Sequence, residues 1–127
     1  CDIFLPSSAD IAILYPGKSA ENVIKDMLEN GKKIVVVKQG VKGVLGSDGS
    51  DLIHVRPHAV KEVDPTGAGD CFCGTLIGLL DQNKTFREAL VSANMAGALH
   101  VTRRGPMEWN PTLTEVRKHL ELELYEY

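Results

Sequence analysis

The segment Val63-Asp64-Pro65-Thr66-Gly67-Ala68-Gly69-Asp70 sets a glycine-rich turn between two acids, just ahead of an apolar run with helical spacing. Gly67 and Gly69 have no Cβ, so backbone N–H groups there can close on an anion. A helix starting at this point turns its unpaired N–H groups and the positive end of its dipole toward the same place. Asp70 falls in the first helical turn. A carboxylate beside a phosphate is repelled unless it has work to do, and the work on offer is taking a proton. The plain alternative is a glycine turn that only starts a helix, and such a turn needs neither acid.

Elements on both sides must position that turn. Residues 2–5 read as a buried strand. Ser7-Ser8-Ala9-Asp10 is a helix start with Ser7 as cap, opening a short helix over 9–14 that Pro16-Gly17 closes. Ser19 caps a second helix over about 20–30, whose Val23, Ile24, Met27 and Leu28 share one face. Lys33 to Lys38 is β-branched and continuous, as a strand covered on both faces should be. Strand, helices and strand make a βαβ unit. Residues 41–46 and 52–56 flank Ser47-Asp48-Gly49-Ser50, a hairpin signal. His58 to Val63 reads as a further strand leading into the glycine turn. Three helices follow: about 68–81, 85–101 with a Thr85/Glu88 capping box, and one from Thr112 with a Thr112/Glu115 box. On the first, Asp70, Gly74 and Gly78 share a face open to a neighbour or ligand. The charged tail after Leu120 is expected to fray.

A length of 127 residues predicts one domain. A net charge of −3 argues against a nucleic-acid surface. No apolar run approaches membrane-spanning length, and no signal-peptide pattern is read. Three cysteines, Cys1, Cys71 and Cys73, form neither a disulfide framework nor a metal set, so reduced packing cysteines in a cytoplasmic protein are expected. His54, His58, His100 and His119 are scattered and read as surface or satisfied-core residues; Trp109 reads as packing. Arg103-Arg104 either meets phosphates or closes a helix. A strand beginning at the second residue suggests a chain continuing upstream.

Asp64-Pro65-Thr66-Gly67-Ala68-Gly69-Asp70, with Phe72 as the following aromatic, resembles the second signature of the ribokinase (PfkB) family of carbohydrate and nucleoside kinases. The resemblance implies an α/β fold: the C-terminal, nucleotide-side portion of a ribokinase-like doubly wound sheet, with a β-hairpin and three C-terminal helices. Residues 1–127 would be a single domain lacking the N-terminal part that carries the lid and most sugar contacts. It implies ATP-dependent phosphorylation of a sugar or sugar-acid hydroxyl. Asp70 would be the general base, and the amides of Gly67, Ala68 and Gly69 an anion hole. Lys38-Gln39-Gly40-Val41-Lys42-Gly43 resembles the family's nucleotide-binding turn, giving Lys38, Gly40 and Gly43 as ATP contacts; a tight strand-to-strand turn is the other reading.

Asn94 matches a polar position beside the nucleotide base, or is a satisfied buried amide. Asp64 and Thr66 match positions around a monovalent cation such as K⁺, with backbone oxygens from residues 100–105 completing the shell; Asp64 could equally cap the turn before Pro65. Where the family shows Pro-Asn-x-x-Glu near Mg²⁺, this chain has Pro6, Ser7 and Asp10. Asp10 keeps the charge on a shorter arm and could act through water, or serve only the helix cap. The loop from Arg103 to Glu108 looks more like sugar-acid and ketose kinases than nucleoside kinases. Two other readings stand: a nucleotide-binding module without turnover, and a non-catalytic relative. These 127 residues alone are expected to be inactive, and to self-associate through an uncovered strand edge and apolar face.

Overall fold

In a computed structural model, residues 1–105 and 108–125 are described, with side chains through Leu122. The chain divides into two compact units, Cys1–Pro57 and His58–Tyr127.

The first unit is a four-stranded sheet in the order β1 (Ile3–Phe4), β2 (Ile34–Lys38), β3 (Val44–Ser47), β4 (Leu52–Val55). β1 and β2 run parallel, with Ile3 opposite Ile34; the other neighbours are antiparallel. The parallel pair is joined through α1 (Ser8–Leu14) and α2 (Ala20–Glu29). Ser7 and Ser19 cap these helices as expected, each hydroxyl accepting a first-turn amide. α2 presents Val23 and Ile24 to Val35, Val37 and Leu45. Val35, Val36 and Val37 are 0% exposed, so β2 is covered on both faces, and burial of each valine is worth about 1.5–3 kcal/mol. The hairpin turns at Asp48-Gly49, where Asp48 accepts from the Ser50 amide.

The second unit packs α3 (Ala68–Asp81), α4 (Phe86–His100) and α5 (Leu113–Tyr125). At Gly97 α4 lies against the start of α3, where an added Cβ would make ordinary contact with the Ala68 carbonyl at 3.6 Å. Met95, Ala96, Leu99 and Val116 form a core, with Cys71, Trp109 and Leu120 packed on it.

Three expectations change. His58–Val63 is not a strand: the Val63 and Asp64 amides both donate to the Val101 carbonyl, tying the segment to the end of α4 rather than to a ladder. Val41 stands in a 3₁₀ turn over Gly40–Lys42, 90% exposed, so β3 starts only at Val44. The face of Gly74 and Gly78 is open, as expected. The last helix continues to Tyr125.

Candidate active site

α3 begins without a side-chain cap. Its N-cap is Gly67, at φ 84°, a left-handed conformation that costs any other residue except Asn or Asp dearly. The turn before it is closed by Asp64, whose Oδ1 accepts from the Thr66 amide at 3.0 Å and whose Oδ2 accepts from the Gly105 amide at 3.0 Å. The Gly105 N–H, then the Thr66 hydroxyl and amide, hold the Asp64 carboxyl below the usual carboxylate range. Asp64 is therefore a charged clamp between the glycine turn and the loop after α4.

Of the three amides expected to form an anion hole, that of Ala68 is engaged, donating to the Pro65 carbonyl at 3.1 Å. This turn bond closes the bend from which the helix starts. The Gly67 and Gly69 amides have no acceptor among the described residues, as expected for the orphan donors of a helix start. The cradle is narrower than the sequence suggested.

Asp70 is the third residue of α3 and is exposed. Three other helices also carry an acid at this position, and all three acids reach back to their caps. Asp10 accepts from the Ser7 amide and hydroxyl, both at 2.8 Å. Glu88 accepts from the Thr85 amide at 3.0 Å, and Glu115 from the Thr112 amide at 3.0 Å. Gly67 has no side chain to complete such a box, and no described residue donates to the Asp70 carboxylate. The acid is forward in the turn and uncommitted among the described residues.

In the first unit, Asp10 and Lys38 are brought together. The Lys38 amide donates to the Pro6 carbonyl at 2.9 Å, and Ser7 bridges to Lys38 beyond the parallel ladder. Ser7 donors, chiefly its backbone N–H, hold the Asp10 carboxyl low, with Lys38 adding a smaller field. Asp10 Oδ2 is committed to the cap, accepting from both the amide and the hydroxyl of Ser7. Gly43, at φ 86°, is required by packing: a Cβ there would collide with the Val55 carbonyl. Gly40 faces open space. Both glycines hold positive φ, 86° at Gly43 and 56° at Gly40, so the backbone of the turn explains each of them.

Asn94 is half-buried on α4 and already has an interaction within the chain. Cys71 packs against α4 with its thiol 3.7 Å from the Ala96 carbonyl, and burial pushes that thiol up, in keeping with a packing role. Arg103 lies 4.2 Å over the Trp109 ring, a cation–π contact that accounts for one arginine of the pair. Pro106 and Met107, part of the loop likened to sugar-acid kinases, lie outside the described residues.

His100, expected as a surface or satisfied-core histidine, is the second of these, and it joins the glycine turn. It is 0% exposed; Nε2 lies 2.8 Å from the Thr66 carbonyl oxygen and Nδ1 lies 3.0 Å from Asn110 Oδ1. Only its position at the apolar end of α4 hinted at this, since neither partner is near in sequence. The Thr66 carbonyl, at a position expected around a monovalent cation, carries the contact to this ring.

A sheet joined through helices, followed by a glycine-capped helix whose first-turn acid no described residue engages, makes this an α/β protein. Residues 1–113 match the model of the pfkB family of carbohydrate kinases, and the chain belongs to that family. The ribokinase of Lactococcus lactis is 30% identical over 127 residues, covering 98% of this chain and 41% of its own length. An Escherichia coli protein crystallised as a ribokinase II in complex with ATP and Mg²⁺ superimposes with a TM-score of 0.88 at 41% identity, over 95% of this chain and 39% of that one. The fold is thus ribokinase-like. Phosphofructokinase-2 of E. coli, solved in complex with potassium, shares the fold with a TM-score of 0.81 at 24% identity, over 96% of this chain and 41% of that one. The chain therefore spans about two fifths of the length of the relatives it matches. Among the described residues no helix is long and apolar enough to cross a membrane.

Proposed function

We propose that the natural protein carrying this chain transfers the γ-phosphoryl group of ATP to a hydroxyl of a sugar or sugar acid. The observation that carries the reading is the uncommitted Asp70 carboxylate at the start of a helix whose cap is glycine. Asp70 accepts the proton as the substrate oxygen bonds to the γ-phosphorus. The bond from that phosphorus to the bridging oxygen breaks, and ADP leaves with the electron pair. The Gly67 and Gly69 amides donate to the transferring oxygens, where charge builds up.

Lys38 and the accessible backbone at Gly40 contact the nucleotide phosphates, while Gly43 shapes the turn. Mg²⁺, when bound, neutralises phosphate charge. Asn94 borders the nucleotide base. ATP with Mg²⁺ as cofactor is supported by the ATP and Mg²⁺ complex of the E. coli relative.

The experiment is a panel of sugars and sugar acids, with nucleosides as controls, assayed for substrate-dependent ADP release by the natural protein and its Asp70→Asn variant. Release that needs a sugar and falls at least a hundredfold in the variant supports the reading. Release within a few-fold of the parent sinks the assignment of the base. A preference for nucleosides would move the protein to the nucleoside branch of the family.

A second reading concerns the 127 residues alone. Because they span about two fifths of the relatives' length, we propose that in isolation they bind ATP weakly and turn over no sugar. Calorimetry with ATP, run beside the same assay, separates binding from turnover. The sheet ends on β1 and β4 with no further strand among the described residues. Self-association through such an edge is part of the proposal, and a clean monomer at high concentration by sedimentation would count against it.

A further inference from the structure

We propose that His54, on strand β4, is a positioning residue for the Gln39–Gly43 turn: its Nε2–H holds the Lys42 carbonyl and keeps the turn in the shape that receives the nucleotide. The proposal rests on the reading of this turn as a nucleotide contact; the hydrogen bond itself does not.

The turn needs such a hold. Gly40 and Gly43 stand at φ 56° and 86°, and glycine reaches that region and several others at little cost. Val41, between them, is 90% exposed, so apolar packing does little to select one shape. Three backbone bonds close the turn on itself. The Gln39 amide donates to the Gly43 carbonyl at 2.8 Å, the Lys42 amide to the Gln39 carbonyl at 3.1 Å, and the Gly43 amide to the Gly40 carbonyl at 3.0 Å. His54 adds a tie from a separate strand, with Nε2 2.9 Å from the Lys42 carbonyl oxygen.

The tie acts at a sensitive point. The Lys42 carbonyl and the Gly43 amide belong to one planar peptide unit. His54 holds one end of that unit and the Gly40 carbonyl the other, so its orientation is set from both sides. The same strand closes in on the next residue, since a Cβ on Gly43 would collide with the Val55 carbonyl. His54 stands opposite Leu45, one step from the Val44–Val55 pair that ends the ladder beside the turn. A carbonyl oxygen only accepts, so Nε2 carries the proton in this bond, and Nδ1 has no partner among the described residues to compete for it.

A ligand that must first order a loop binds more weakly by the cost of that ordering. A turn already held by β4 needs less ordering when ATP arrives. The effect of His54 therefore falls on nucleotide binding and leaves the proton transfer at Asp70 alone.

The test is ATP affinity by calorimetry, with kcat on the best sugar of the panel, for the natural protein and its His54→Leu, His54→Gln and Leu52→Ala variants. His54→Leu keeps bulk and loses the donor, whereas His54→Gln keeps an N–H donor at similar reach. Leu52→Ala trims the far end of the same strand, where Leu52 pairs with Ser47. Both positions are exposed, so the variants are expected to fold, and a thermal midpoint checks each. His54→Leu should weaken ATP binding roughly three- to tenfold, the range of one net hydrogen bond, with kcat at saturating ATP unchanged. His54→Gln should recover most of the loss, and Leu52→Ala should bind ATP as the parent does. An unchanged ATP affinity in His54→Leu overturns the proposal. So does a His54→Gln variant as weak as His54→Leu, a loss confined to kcat, or an equal loss in Leu52→Ala, which would make the effect one of hairpin stability. A natural protein that binds no ATP defeats the functional reading and this inference together; one that binds ATP equally well with and without the His54 donor defeats the inference alone.

Discussion

The turns at Ser7–Asp10 and at Gly67–Asp70 both start a helix, and both place an aspartate third in it. One difference in the cap separates their uses. Ser7 offers a hydroxyl to the Asp10 amide and, with its own N–H, captures the Asp10 carboxylate. Gly67 offers nothing, adopts a φ that a side chain resists, and leaves Asp70 outside any box. The first turn spends its acid on the fold. The second spends conformational freedom to keep its acid, and its free amides, for something else. A carboxylate at the third helical position is thus not a functional signal by itself; what its cap does with it is.

The largest effect expected from breaking this contrast is in the second turn. Asp70→Asn keeps shape and loses the base, so turnover should fall on the order of 10²–10⁴-fold, read by a coupled ADP assay. Gly67→Ala comes next. It forces a Cβ into φ 84°, costing about 1–2 kcal/mol in a urea titration, and it should lower turnover by tilting the amides. Ser7→Ala, in the first turn, should cost about 1 kcal/mol of stability with turnover changed far less than in either of the others.

The smallest effect is in pH. Asp10, Asp64 and Glu88 are all held below the ordinary carboxylate range when folded. The unfolded chain therefore binds their protons first as pH falls. Their stabilisation is complete above about pH 4–5 and is lost as the pH falls through their lower folded values. Ser7→Ala removes one of the donors that depress Asp10, so its acid limb should be shallower than the parent's in denaturant midpoints taken from neutral pH downward.

Local signals carried much of this to the reader of the sequence. Capping at Ser7, Ser19, Thr85 and Thr112 involves neighbours three residues apart, and all four caps form. The Asp48-Gly49 hairpin and the buried β2 follow equally local patterns. What escaped was non-local. His58–Val63 has strand-like residues, but its amides go to Val101, 38 positions past Val63. His100 finds Thr66 across a comparable separation. Ala68 looked like an anion donor because composition does not show which amide a turn consumes. Asp10 stayed ambiguous for the same reason, since a cap and a metal contact use the same residue type at the same place.

The contrast between the turns is tested most directly by measuring turnover and thermal midpoint together for Asp70→Asn and Asp10→Ala in the natural protein. The expected result is a crossover: Asp70→Asn loses at least a hundredfold in kcat with its midpoint nearly unchanged, while Asp10→Ala loses midpoint and keeps kcat within a few-fold. An Asp70→Asn enzyme that keeps its kcat, or that loses as much midpoint as Asp10→Ala, would contradict the assignment of Asp70 as the acid the fold leaves free for catalysis.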